Sequence, residues 1–223
     1  MSLRVVAAGL TDVGRRRSHN EDAFGLFHEE DIFVLADGMG GHASGEVASA
    51  LAVESVGDFF QETNADRDRT WPYKEAKTLN YDANRLSTAV KLANLNIFSK
   101  AQATKGCENM GTTLVAAFVG KRASYIAHVG DSRGYRVRDG EIEQLTSDHS
   151  LLNDYLKTNR LTPEEIEAFP HKNVIVRALG MRETVEVDVL HLDPQAGDIF
   201  LMCSDGLSGM ISDAEIGRIT WEH

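Results

Sequence analysis

The stretch Thr112 to Leu145, T-T-L-V-A-A-F-V-G-K-R-A-S-Y-I-A-H-V-G-D-S-R-G-Y-R-V-R-D-G-E-I-E-Q-L, reads as four short strands in succession. Alternation and β-branched content place them at Thr112 to Val119, Ala123 to Val129, Arg133 to Val137 and Glu141 to Leu145. Asp139-Gly140 supplies a two-residue hairpin turn between the last pair, so the stretch predicts an antiparallel meander.

Working outward from it, two apolar stripes at helical spacing lie upstream. One runs from Ser44 to Glu62 through Ala48, Leu51, Ala52, Val56, Phe59 and Phe60, the other from Asn84 to Thr104 through Leu86, Val90, Ala93, Ile97 and Ala101. Between them, Thr63 to Asp82 is polar, carries both signs of charge and contains Pro72, which predicts an exposed connection joining two helices rather than two domains. Further strands are expected before the first helix, at Leu3 to Gly9, Ala23 to Phe27 and Ile32 to Ala36.

Downstream, Asp148 to Pro170 reads as a polar, largely helical insertion, where Thr162-Pro163-Glu164-Glu165 offers an N-cap, a proline at the first helical position and a capping-box glutamate. Alternating Val185, Val187 and Val189 and the apolar run Ile199 to Cys203 read as strands, and Ser212 with Glu215 caps a last short helix. Strands, then two long helices, then strands is an order that excludes repeating βαβ units and predicts an α+β fold, with antiparallel sheets packed together and flanked by helices.

The chain has 223 residues, 42% of them hydrophobic, which suits a single domain over residues 1–223 with a true core. Its 23 basic against 34 acidic residues give 23 − 34 = −11, the wrong sign for a nucleic-acid partner or an anionic membrane surface. Two distant cysteines, Cys107 and Cys203, suggest neither a zinc knuckle nor a redox pair and fit a reducing cytoplasm. The apolar run Val5 to Leu10 is too short for a signal peptide, and no stretch reaches the length of a membrane span.

The chemistry concentrates at strand ends. Asp37-Gly38-Met39-Gly40-Gly41-His42 follows the apolar strand at Ile32 to Ala36, and glycine lets a carboxylate and a neighbouring carbonyl approach one hard cation. Ser204-Asp205-Gly206 repeats the arrangement after Ile199 to Cys203. Asn20-Glu21-Asp22 and Gly130-Asp131-Ser132-Arg133 add two more acidic elements beside strands. Carboxylates gathered at one site repel unless a cation joins them, and oxygen-only donors favour magnesium or manganese. A pair of such ions suits in-line displacement at phosphorus, so the implied chemistry is phosphoester hydrolysis. Arg17, four positions before Glu21, brings a guanidinium fork suited to phosphate oxygens, although the triplet Arg15-Arg16-Arg17 reads equally as a solvated face.

With these motifs in order, the chain resembles the metal-dependent PPM/PP2C family of serine/threonine protein phosphatases, bacterial members in particular. The resemblance rests on Arg17 to Asp22, Asp37 to His42, Gly111-Thr112-Thr113, Gly130 to Arg133, Thr146 to His149, Arg177 to Gly180 and Ser204 to Leu207. It implies a sandwich of two antiparallel sheets with helices outside and a centre of two Mn2+ or Mg2+ ions at one edge. By the same resemblance, Asp37 bridges both ions, the Gly38 carbonyl binds one and Asp205 the other. Glu21 and Asp22 act directly or through water, and Arg17 holds the substrate phosphate. Asp37 and Asp205 are thereby the expected catalytic residues. Asp131 helps bind a third, weaker ion, and Asp148 to Asn173 corresponds to the family's flap beside the site. Implied partners are phosphorylated proteins, among them serine/threonine kinases and their substrates, acted on by a cytoplasmic monomer.

Two departures from the family pattern stand out. Animal members have a proton-donating histidine where Met39 stands, which leaves His42 or a metal-held water as the proton donor. The family also continues through another helix to a G-x-x-D-N motif and a final strand, and nothing of the sort follows Ile219. A shortened chain, a substitute segment or a weakened phosphoprotein-binding regulator would each account for this.

The glycine pattern Gly38-x-Gly40-x-x-Ala43 also matches a dinucleotide-binding turn. That reading fails because no strand follows the helix to complete a βαβ unit, and Asp37 would repel a pyrophosphate.

Overall fold

The computed structural model describes residues 4–40, 44–66, 68–120, 123–170 and 174–222. Its strands are β1 (Asp22–Phe27), β2 (Ile32–Met39), β3 (Gly111–Thr112), β4 (Leu114–Val119), β5 (Ser124–Val129), β6 (Arg133–Arg138), β7 (Glu141–Gln144), β8 (Asp188–Leu192) and β9 (Ile199–Cys203). The helices are α1 (Ser44–Ala65), α2 (Tyr81–Ala103), α3 (Leu151–Leu156), α4 (Pro163–Glu167), α5 (Asp205–Ser208) and α6 (Asp213–Glu222).

All strand pairs are antiparallel and form two sheets, one of order β1-β2-β4-β5-β8 with β3 beside β2, the other of order β7-β6-β9. The two-residue period of a strand explains the layering. Ile32, Val34 and Ala36 of β2, with Leu114, Ala116 and Phe118 of β4 and Ala127 and Val129 of β5, turn toward α1 and α2. The intervening Leu35, Val115 and Ile126 turn the other way and meet Phe200 and Met202 of β9. The result is the expected sandwich, with α1 and α2 outside the larger sheet. On the smaller one α6 packs over β6 and β7, with Ile216 buried and Gly217 against Ile142.

The predicted meander divides between the sheets. β4 and β5 pair as expected and so do β6 and β7, the latter through Asp139-Gly140 at φ 52° and 82°, but β5 and β6 belong to different sheets. The break falls at Gly130, whose φ is 108° and where a Cβ would stand 2.6 Å from Thr113 Cβ. Only glycine takes that step without strain, and it sends the chain across the sandwich edge.

Residues 4–9 of the strand expected at Leu3 to Gly9 form no strand, and Leu3 lies outside the described residues. Alternation makes a strand only where an edge accepts it, and Val6 is 82% exposed. Val185 and Val187 precede β8 and pack on the helix-side core from a loop. The connection after α1 is largely exposed, as its polarity predicts, and Trp71 anchors it by packing edge-on against Phe59 and at a tilt against Tyr81. Asn84 ties the same loop down through Ala76 and Leu79, and Asn80 caps α2 by accepting the Ala83 N–H at 3.0 Å.

Cys107 and Cys203 are unpaired, and among the described residues no helix is long and apolar enough to cross a membrane. In the insertion, Thr162 and Glu165 form the reciprocal capping box that the sequence predicts.

Candidate metal centre

The ends of β1, β2, β5 and β9 meet at one edge of the sandwich. Asp22 and Asp37 face each other directly in the β1–β2 register, so their carboxylates share a face. Asp131 follows the Gly130 step out of β5, and Asp205 opens α5 just past β9. An open cleft of about 550 Å³ forms there, lined by Arg17, His19, Glu21, Asp37, Gly38, Met39, Thr113, Asp131 and Asp205, with Ile175 from beyond the insertion.

Backbone and hydroxyl contacts hold this edge. The Gly38 N–H donates to the Glu21 carbonyl at 3.0 Å, and the Asp37 N–H donates to Thr113 Oγ1 at 3.1 Å. Thr113 returns its own N–H to the Asp37 carbonyl at 2.9 Å, and its hydroxyl lies 2.6 Å from Ser132 Oγ beside Asp131. Ser204 Oγ donates to Asp22 Oδ2 at 2.9 Å, linking the β9 end to β1. Gly38 admits no side chain, since a Cβ there would overlap the Gly45 carbonyl at the start of α1. The backbone of β2 therefore lies directly against the helix.

The electrostatics are those of an uncompensated cluster. Burial, then the charges of Asp22 and Asp205, push the Asp37 carboxyl up to about 8. Burial, then Asp205, raises Asp131 to about 6, with its own backbone N–H and Arg133 opposing the rise. Arg133 itself is committed elsewhere, gripping Asp148 with Nε and Nη2 at 2.7 to 3.1 Å. Arg17 stands at the rim, 64% exposed, with Nη1 3.4 Å from Glu21 Oε2.

Hard oxygen donors, a bare backbone at Gly38 and acids whose shared charge favours protonation fit divalent cations such as Mg2+ or Mn2+. The structure thus brings together Arg17, Glu21, Asp22, Asp37, Gly38, Asp131 and Asp205, all seven residues that the sequence singles out. His42 lies outside the described residues. Sequence reasoning gave no role to Thr113, Ser132 or Ser204, which hold the acids rather than carry charge. The signal available for them was their place inside the same short motifs, Gly111-Thr112-Thr113, Gly130 to Arg133 and Ser204 to Leu207.

Comparison with known proteins identifies the family. Residues 13–221 match the family described as Protein phosphatase 2C. The serine/threonine phosphatase stp of Listeria welshimeri is 40% identical, over 94% of this chain and 80% of its own length. The crystal structure of serine/threonine phosphatase Stp1 from Staphylococcus aureus superposes with a TM-score of 0.79 at 32% identity, covering 100% of this chain and 87% of that one. The catalytic domain of the serine/threonine protein phosphatase PstP, solved with two manganese ions, gives a TM-score of 0.70 at 35% identity over 92% of this chain and 79% of that one. By sequence and by fold, the chain belongs to the protein phosphatase 2C family of serine/threonine phosphatases, among its bacterial members.

Proposed function

We propose that the chain, acting as one domain over residues 1–223, hydrolyses phosphoserine and phosphothreonine in proteins at a centre of two Mn2+ or Mg2+ ions. The observation that carries this reading is the burial of Asp37 among Asp22, Asp131 and Asp205, an arrangement that holds its proton up to about 8 without a cation. Asp37 would bridge the ions, with the Gly38 carbonyl on one and Asp205 on the other, while Glu21 and Asp22 complete the set. Asp131 would serve a third, weaker ion. The ions, when bound, supply an activated water and positive charge opposite the phosphate.

The chain's own groups do the rest. Arg17, exposed at the rim, turns its planar fork from Glu21 to the phosphate oxygens. Thr113 holds the Asp37 backbone from both sides, so the carboxylate keeps one orientation as charge develops on the substrate. Met39 lines the cleft and has no proton to give, so the leaving oxygen is not protonated by the side chain that follows Gly38.

The cleft is open and suits many phosphoproteins, among them kinases of the same cell. The unpaired Cys107 and Cys203 suit a reducing cytoplasm, and in this reading the chain acts as a monomer.

Hydrolysis of a phosphothreonine peptide, with and without millimolar manganese, tests the proposal. Turnover should require manganese and fall by at least about 100-fold in Asp37→Asn, a ligand change more severe than the loss of a supporting hydrogen bond. Turnover indifferent to chelator or to that substitution overturns it. Tight binding of the phosphopeptide without turnover would leave a regulator in its place.

A further inference from the structure

His149 lies outside the carboxylate cluster, at the base of the insertion, yet it holds the peptide just before Asp131 from two directions. Its backbone N–H donates to the Gly130 carbonyl at 2.9 Å, and its ring Nδ1 accepts the Gly130 N–H at 3.0 Å. Its carbonyl accepts from the Val176 N–H at 2.9 Å, and Ser150 bridges Ile175, so the two ends of the insertion close on this residue.

The Gly130 peptide sets the ring's tautomer. A backbone N–H cannot turn its proton aside, so Nδ1 must present a lone pair and the hydrogen sits on Nε2. Nε2 lies 3.4 Å from Asp188 Oδ2, an acceptor that Arg177 Nη1 holds at 2.7 Å through Oδ1. His128 stacks on the ring with centroids 4.6 Å apart and planes 19° from parallel. Burial, then the Arg177 charge, lowers the His149 pKa and favours the neutral ring.

His128, His149 and Asp188 also offer ligand atoms within 4.8 Å of one another, a spacing that suits a metal ion. The tautomer rules out His149 as a ligand. Nδ1 is already occupied by the Gly130 N–H, Nε2 has no free lone pair, and Arg177 Nη1 stands 3.1 Å away, where it would repel a cation. The ring's role is to hold the backbone.

We infer that His149 is a positioning residue for the metal centre, its Nδ1 fixing the Gly130 peptide and thereby the place of the Asp131 carboxylate. The inference rests on reading the carboxylate cluster as a metal centre. Because the same residue closes the insertion, affinity for the Asp131-dependent ion follows how firmly the insertion is anchored.

Manganese titration of the metal-free full chain, read by electron paramagnetic resonance, tests this. Loss of one ion in Asp131→Ala identifies the ion concerned. His149→Phe keeps the ring without the acceptor and should weaken that ion about tenfold or more while leaving the tighter ions unchanged. His149→Asn, whose Oδ1 stands in for Nδ1, should recover it to within about threefold.

A purely structural ring reverses this order, with Phe tolerated and Asn not, and that result overturns the inference. So does equal affinity in the wild type and His149→Phe. Should His149→Phe not fold, nitrogen NMR of the wild-type imidazoles decides: an Nε2–H ring at His149 supports the inference and an Nδ1–H ring overturns it. If the wild type binds no manganese, or Asp131→Ala loses none, the metal-centre reading fails and this one with it. Loss in Asp131→Ala with none in His149→Phe defeats this inference alone.

Discussion

The two faces of the larger sheet are packed very differently. Toward α1 and α2 the face is sealed, with Val34, Val56, Phe60, Leu86, Val90, Ile97 and Leu114 all at most 1% exposed. Toward the smaller sheet the apolar cluster is small, with Val115, Ile126 and Leu192 buried at its centre and Leu35, Leu190, Phe200 and Met202 only partly covered. Close packing concentrates cohesive energy on the helix side. The candidate metal centre lies at the strand ends, where the acids of β1 and β2, from the tightly packed sheet, meet Asp205 from the loosely held β9. The difference implies that one half of the site is rigid by packing and the other half is held by a few polar contacts.

The widest gap between the faces should appear in stability. Leu86→Ala should cost about 4 kcal/mol and Met202→Ala about 1–2 kcal/mol, measured as urea midpoints of the metal-free chain. Equal losses would break the comparison.

A smaller effect of opposite sign is expected at the rigid half. Burial and the neighbouring carboxylates raise the folded Asp37 pKa from the ordinary carboxylate range to about 8. A carboxyl raised on folding stabilises most below its unfolded pKa, and that contribution is lost as pH rises through the folded value. The metal-free chain should therefore lose stability between about pH 4 and pH 8. Asp37→Asn should flatten this loss and leave the metal-free variant about 1–2 kcal/mol more stable at pH 8 by thermal unfolding, at the expected cost in turnover. Saturating manganese should reverse the ranking, adding about 2.7 kcal/mol to the wild type at a hundredfold excess over Kd. A metal-free chain as stable at pH 8 as at pH 5 would show that the cluster stores no repulsion.

The smallest effect belongs to the insertion. Thr162→Ala removes the cap of α4 and should cost about 1 kcal/mol locally, visible as faster amide exchange within α4, with the global urea midpoint unchanged. A shift of the global midpoint would place the insertion in the same cooperative unit as the helix-side core.

Much of this was legible because the relevant signals are local. The continuous apolar run Ile199 to Cys203 is β9 residue for residue, and Asp139-Gly140 makes its hairpin. The four aspartates were legible because each stands at or near a strand end, a place where a carboxylate has little structural reason to be, although β2 runs on through Met39 rather than ending at Ala36. What escaped depends on partners distant in the chain. Alternation at Leu3 to Gly9 cannot report whether an edge exists to pair with it. The transfer of the chain between sheets hangs on a single backbone angle at Gly130, to which side-chain periodicity is blind. Thr113 holds Asp37 across 76 residues, and His149 holds Gly130 across 19, through backbone groups that every residue has.

The direct pairing of Asp22 with Asp37 has a consequence for how the chain reaches its fold. A slip of one residue between β1 and β2 would turn Asp22 to the opposite face, leaving Asp37 without its neighbour. Only the correctly registered hairpin brings the two carboxylates together, so a dication that needs both selects that pairing from its misaligned competitors. Manganese added during refolding would then act as a proofreader of strand alignment, before any substrate is met.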